Sequence, residues 1–197
     1  MKPTEINVSE HRAPAHDVEP LLVERWSARA MSGESLTDAE LHRLFEAARW
    51  APSSYNLQPW TFVYAKRDTP AWSRMFDTLV EFNQYWVHQA AVLITVVSKT
   101  VDADGKPTRT HSFDCGAAWQ NIALQGTKIG LVVHGMQGFD YAQAAQVLAV
   151  PNDHQIEAMI AVGRPGPIDA MSERLQEREK PSERRPITEL VREGSFA

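Results

Sequence analysis

Residues 112–130, SFDCGAAWQNIALQGTKIG, decide how this chain is read. Gly116, Ala117, Ala118, Ala123 and Gly126 are set among Phe113, Trp119, Ile122 and Leu124, a helical run with little polar face. Such a helix needs cover on most sides, so it belongs in the core or at a subunit interface. Gly130 supplies its stop. Cys115, near its start, reads as a small buried hydrophobe; a thiol activated at a helix N-terminus is the alternative.

Strands surround that helix. LVVHGM (131–136) follows it directly, and IEAMIAVG (156–163) comes after a helix over YAQAAQVLAV (141–150). Upstream, AAVLITVV (90–97) is apolar without alternation, the mark of a strand buried on both faces. WTFVYAK (60–66) is a further strand, rich in aromatic and β-branched residues. Between these two, Thr69-Pro70 reads as a cap with proline in the first turn. Trp72, Phe76, Leu79 and Val80 predict one helix running from there to about Val87. Thr37 and Glu40 form a capping-box pattern ahead of Leu41, Leu44, Phe45 and Ala48, and Pro52 closes that helix. A short amphipathic helix is expected around EPLLVERW (19–26), and DADGKP (102–107) reads as an exposed turn. Residues 1–17, with Pro3 and Pro14, read as an extended arm or a loosely packed lead-in. The charged tail from Met171 reads as one helical segment followed by an extended stretch after Pro181. Four strands alternating with helices give an α/β or α+β layer structure. We expect one domain over residues 1–197, with the arm at 1–17 and a C-terminal extension at 171–197.

Composition narrows the function. The 197 residues are 43% hydrophobic and 23% charged, an ordinary globular balance. The net charge of −5 offers no overall positive field to a nucleic-acid backbone. One cysteine excludes an internal disulfide or a multi-cysteine metal cluster. None of the seven histidines shows HExxH-like spacing, so no metal is expected, and the absence of GxSxG weakens a hydrolase reading. The longest apolar run is too short to cross a bilayer and the first residues lack a secretory-leader pattern, so a cytoplasmic protein without membrane contact is expected.

Four segments can carry chemistry. In RWSAR, Arg25, Ser27 and Arg29 alternate, so an extended backbone turns all three to one side, an arrangement suited to a phosphate. In APSSYNLQPW, Pro52, Ser53, Ser54 and Asn56 form a loop whose hydroxyls and amide can bond a ligand with many polar edge atoms. In HGMQGFD, Gly138 after Gln137 lets backbone approach a ligand closely, although neither GxGxxG nor GxxxxGK spacing occurs. In ERRP, Arg184 and Arg185 precede Pro186 and can close over an anion. Each has a plainer reading: a solvated basic edge, a turn, a strand-to-helix connection, a charged tail.

Taken in order, RWSAR, APSSYNLQPWTFV, DCGAAWQNIALQGTKIGL with HGMQGFD, and VGRP followed by ERRPITELV resemble the nitroreductase family of flavoproteins over residues 21–194. The resemblance implies an α+β fold with a central, mostly antiparallel sheet flanked by helices, built as an intertwined homodimer with two FMN molecules at the subunit interface. It implies that Arg25 meets the ribityl phosphate, that Ser27 lies in the same stretch, and that Arg29 leans toward the N1/O2 edge of the flavin. Pro52, Ser53, Ser54 and Asn56 would reach the FMN of the partner subunit, and Asn83 in FNQYW would bond the pyrimidine edge. Gln137 and Gly138 would bring backbone near N5, and Arg184 or Arg185 would return to the phosphate. Gln137 departs from the family, where glutamate is frequent, but its backbone matters more than its side chain. The activity implied is an oxidoreductase passing hydride from NAD(P)H through the flavin to a small electron-poor acceptor such as a nitroaromatic, quinone or enone. The flavin carries the chemistry, so no side chain is expected to be catalytic. Two alternatives stand beside it: a flavoprotein of the same fold that cleaves flavin or removes halide, and a small α/β interaction module whose arginines are merely solvated.

Overall fold

The computed structural model describes residues 6–196, so the first five residues of the expected arm, Pro3 among them, lie outside it. Four strands, β1 (Trp60–Lys66), β2 (Val92–Lys99), β3 (Val132–Met136) and β4 (His154–Gly163), form a sheet of order β1-β2-β4-β3, and every pairing is antiparallel. The helices are α1 (Pro20–Glu24), α2 (Asp38–Arg49), α3 (Pro70–Phe76), α4 (Glu81–Val87), α5 (His111–Lys128), α6 (Tyr141–Val147), α7 (Glu173–Gln176) and α8 (Ile187–Leu190). Among the described residues, none is long and apolar enough to cross a bilayer.

The sheet divides the core in two. On one face Val92, Ile94 and Val96 of β2 meet Leu41, Leu44 and Ala48 of α2 and Cys115, Ala118 and Ile122 of α5. On the other, Leu93 and Val97 meet Trp72 and Met75 of α3, Trp86 and Val87 of α4 and Ala144 of α6. β2 is therefore buried on both faces, which is why its sequence is apolar without alternation. The capping box at Thr37 and Glu40 forms as the sequence requires, with Thr37 Oγ1 accepting from the Glu40 amide. Gly130 leaves α5 at φ +76, a conformation that glycine adopts without strain. Gly126 lets α5 press onto β3, because a Cβ there would lie 2.2 Å from Val133 Cγ2. The Cys115 thiol is 1% exposed, and burial pushes its pKa up to about 12, so it is an inert core residue.

Two expectations fail: the stretch after Pro181, expected to be extended, turns into the short helix α8 at Ile187–Leu190, with Pro186 at its N-cap, and the helix expected from Pro70 to Val87 is broken. The single helix from Pro70 to Val87 is two helices, α3 and α4, broken at residues 77–80. Tertiary pairing overrides the apolar period there. Asp140 N–H donates to Thr78 O, Val80 N–H donates to Gly138 O, and Leu79 bridges Phe139 antiparallel. This break is what brings α4 against the Gln137–Gly138 turn.

Candidate active site

Three guanidiniums converge beside α1. Arg12 Nη1 donates to the carbonyls of Val23 and Arg25, and its Nε donates to Ser182 O at 3.0 Å, tying the N-terminal segment to the C-terminal tail. Arg25 reaches Ser27 Oγ at 3.4 Å. Arg184 bonds the Ser182 hydroxyl and nearby carbonyls. Among the described residues no carboxylate pairs with any of the three; Arg12 and Arg184, though not Arg25, line a basin of about 620 Å3 with Glu10 and Glu183, which do not bridge to them. Burial lowers the Arg25 pKa first, and Arg184 lowers it further; Arg12 is depressed by burial and then by both of the others. Cations held together without a counter-ion repel one another, and an anion would relieve that repulsion. Arg185 lines the same basin. Arg12 carries no motif in the sequence, and only the fold reveals it.

Four residues further on, the extended segment is clamped from behind. Glu179 Oε1 accepts the backbone N–H of Arg29 at 2.6 Å and that of Ala30 at 2.8 Å, and Oε2 stands 3.9 Å from Arg29 Nη1. The Glu179 side chain is 1% exposed. In sequence, EREK looks like an ordinary charged tail; in the structure its glutamate is a buried latch holding RWSAR and the tail together. Arg29 is lowered by desolvation, with Glu179 opposing that effect. We expect Glu179→Ala to cost about 3 kcal/mol of stability, since it strands two buried amides and a half-buried cation, and Glu179→Gln to cost less because an amide oxygen still accepts. Urea midpoints measure both; equal, negligible losses would remove the latch.

The Gln137–Gly138 turn joins the same face. Asn83 Nδ2 donates to Gly138 O at 2.9 Å, and Trp86 Nε1 donates to Asn83 Oδ1 at 3.3 Å. Both ends of the Asn83 amide are thus engaged within the protein. A Cβ on Gly138 would lie 2.4 Å from Asn83 Nδ2, so glycine permits this approach. Trp86 stacks obliquely on His134, centroids 4.5 Å apart, and His134 Nδ1 donates to Ala28 O at 2.9 Å, a carbonyl being unable to donate. Burial brings the His134 pKa down to about 4, so the ring is neutral at pH 7. Gly138, Asn83, Trp86, His134 and Ala28 thus form one chain of contacts from the turn to the arginine segment.

The polar loop stands apart. Ser54 N–H donates to Asp114 Oδ2 at the start of α5, and Gln58 N–H donates to Ser53 Oγ. Tyr55 and Asn56 adopt φ of +50 and +57, an uncommon conformation for residues with side chains. Trp26 and Ala28 instead line a cavity with Thr127 and Gly130 at the far end of α5. Asp114 and Thr127 are separated by about 20 Å along a helix rising 1.5 Å per residue. Among the described residues, no hydrogen bond or ion pair joins Pro52, Ser53, Ser54 or Asn56 to Arg25, Arg29 or Arg184. The structure gathers most of the expected residues on one side and leaves this loop on another.

Comparison with known proteins agrees with this architecture. The family model described as "Nitroreductase family" matches residues 22–71 and 64–164. An oxidoreductase containing FMN, solved by crystallography, is 38% identical, with a TM-score of 0.91 over 94% of this chain and 96% of the other. A Desulfovibrio desulfuricans protein solved in complex with FMN is 26% identical, with a TM-score of 0.71 over 98% and 100%. The NADH dehydrogenase of Thermus thermophilus is 26% identical over 194 residues, covering 82% of this chain and 93% of the relative. A model match spanning most of the chain, on an antiparallel sheet that carries the arginine segment and the glycine turn, makes this protein a member of the nitroreductase family.

Proposed function

We propose that the protein is an FMN-dependent oxidoreductase that uses NAD(P)H to reduce a small electron-poor acceptor such as a nitroaromatic, quinone or enone. The observation that carries this reading is the cluster of Arg12, Arg25 and Arg184 without a carboxylate partner, which fits a dianionic phosphate. The FMN of two structural neighbours supports it. When bound, FMN would supply hydride acceptance from NAD(P)H and delivery of electrons to the acceptor. In this reading Arg25 and Arg184 hold the phosphate, Arg12 braces them, and Arg29 sets a desolvated cation where a ligand gaining negative charge on reduction is favoured. Gly138 leaves room for close backbone approach.

A homodimer belongs to this reading. The Pro52–Asn56 loop lies too far from the arginines to close on the same ligand, so it would serve the site of a second copy. The aromatic side chains around that loop, Tyr55 at 96% exposure and Phe113 at 80%, are the kind that an interface covers. A cytoplasmic location also fits, since the one thiol is buried and asks for no oxidising compartment. Purified protein is expected to be yellow, or to take up added FMN, and its flavin absorbance to bleach rapidly with NAD(P)H in stopped flow. A protein that refuses FMN would sink the reading; one that binds FMN but is not reduced would favour the flavin-cleaving or dehalogenating alternative.

A further inference from the structure

Beside Arg29 and α4 lies a cleft of about 490 Å3. Phe82, Tyr85 and Trp86 give it flat aromatic walls, Met171 closes it from the tail, and Arg29 and Arg174 line it. No carboxylate is among its lining residues. The nearby Glu81 is engaged by the Tyr85 hydroxyl at 2.5 Å, and Glu179 is occupied by two backbone amides.

The tail adds charge in a directed way. Arg174 and Arg178 are spaced i,i+4, so α7 and its last turn aim both at one surface. Each guanidinium carbon stands 5.5 Å from the Phe82 ring centroid. Glu173 and Glu177, one position earlier, are offset round the helix. Among the described residues neither arginine has a carboxylate partner within 4 Å, and Arg178 also acts on Arg29, lowering its pKa. Arg29 and Arg174 therefore line an aromatic slot, Arg178 stands outside the lining over the Phe82 ring, and one buried glutamate lies behind Arg29. An occupant that stacks and also carries negative charge relieves the repulsion among the arginines.

We propose that this cleft binds the electron acceptor and selects planar aromatic molecules bearing an anionic group, with Arg174 and Arg178 as the residues that read the charge. As a statement about the acceptor it rests on the flavin reading above; as a statement about the cleft it rests on Phe82, Tyr85 and the arginines alone. Arg174 and Arg178 are exposed, so their replacement leaves the core intact.

The test compares 4-nitrobenzoate with its neutral counterpart 4-nitrobenzamide by calorimetric titration onto FMN-saturated protein without NAD(P)H. The carboxylate is expected to bind about fivefold tighter at low ionic strength, the preference falling as salt screens it. Arg174→Gln with Arg178→Gln should bring the ratio near one, and Arg174→Glu with Arg178→Glu should invert it. Equal binding of the two probes, or a ratio unmoved by either pair of substitutions, overturns the proposal. So does release of FMN by 4-nitrobenzoate, which would make the cleft part of the flavin site. Failure to take up FMN would sink the flavin reading instead, and the same titration on the flavin-free protein would still report the cleft's charge preference.

Discussion

Replacing Arg25 with Ala is expected to weaken FMN binding by about 2 kcal/mol, roughly thirtyfold, while leaving riboflavin binding almost unchanged. The discrimination follows from where the charge sits. Arg25 is partly desolvated beside Arg184 and, among the described residues, its guanidinium bonds only the Ser27 hydroxyl, so it has donors left for a phosphate. Riboflavin lacks that phosphate and gains nothing from it. The same substitution removes a desolvated cation and its repulsion with Arg12 and Arg184, so the flavin-free protein should be at least as stable as before. Fluorescence titration with both flavins, and a urea melt of the flavin-free protein, check the two halves. Equal weakening of FMN and riboflavin would mean that Arg25 shapes the site without holding the phosphate.

The second large effect is on stability against pH. His134 titrates near 6.5 when unfolded and is held down to about 4 in the fold, chiefly by burial against Trp86 and then by the nearby Arg29 and Arg25 charges, which outweigh the opposing hydrogen bond to the Ala28 carbonyl. Between those values the unfolded chain binds a proton that the native one refuses. The contribution is therefore whole above pH 6.5 and is lost as pH falls toward 4, reaching about 3 kcal/mol. His134→Gln keeps an N–H donor for Ala28 O and removes the titration. Subtracting the variant's stability-versus-pH curve from the wild-type curve cancels the other titrating groups. A flat difference from pH 7 to 4.5 would show that the ring accepts its proton in the fold.

Much of the architecture was legible because its causes are local. The capping box of Thr37 and Glu40, Thr69 with Pro70, and Gly130 each act within a few residues. The unbroken apolar run of β2 announced burial on both faces. The break at residues 77–80 was not legible, because Leu79 and Val80 sit at helical spacing and only their pairing with Phe139 and Gly138 pulls them out of a helix. Arginine alternation in RWSAR pointed to an anion, and the fold adds Arg12 from 13 residues upstream of Arg25 and Arg184 from the distant tail. Glu179 was hidden by its neighbours, since a glutamate in EREK carries no mark of being buried under two backbone amides.

By itself, then, the sequence determined the four strands and the helices α2 and α5, the antiparallel α+β layering through its family resemblance, and which residue types could meet a phosphate. Short-range sterics, capping and hydrophobic period settle those matters within a dozen residues. The tertiary structure alone decided that three arginines lie together without a counter-ion, that a tail glutamate clamps the segment carrying three expected cofactor residues, and that the Ser53–Asn56 loop stands at the opposite end of α5. Each depends on the relative placement of elements up to about 170 residues apart in the chain, and on desolvation that exists only once they pack.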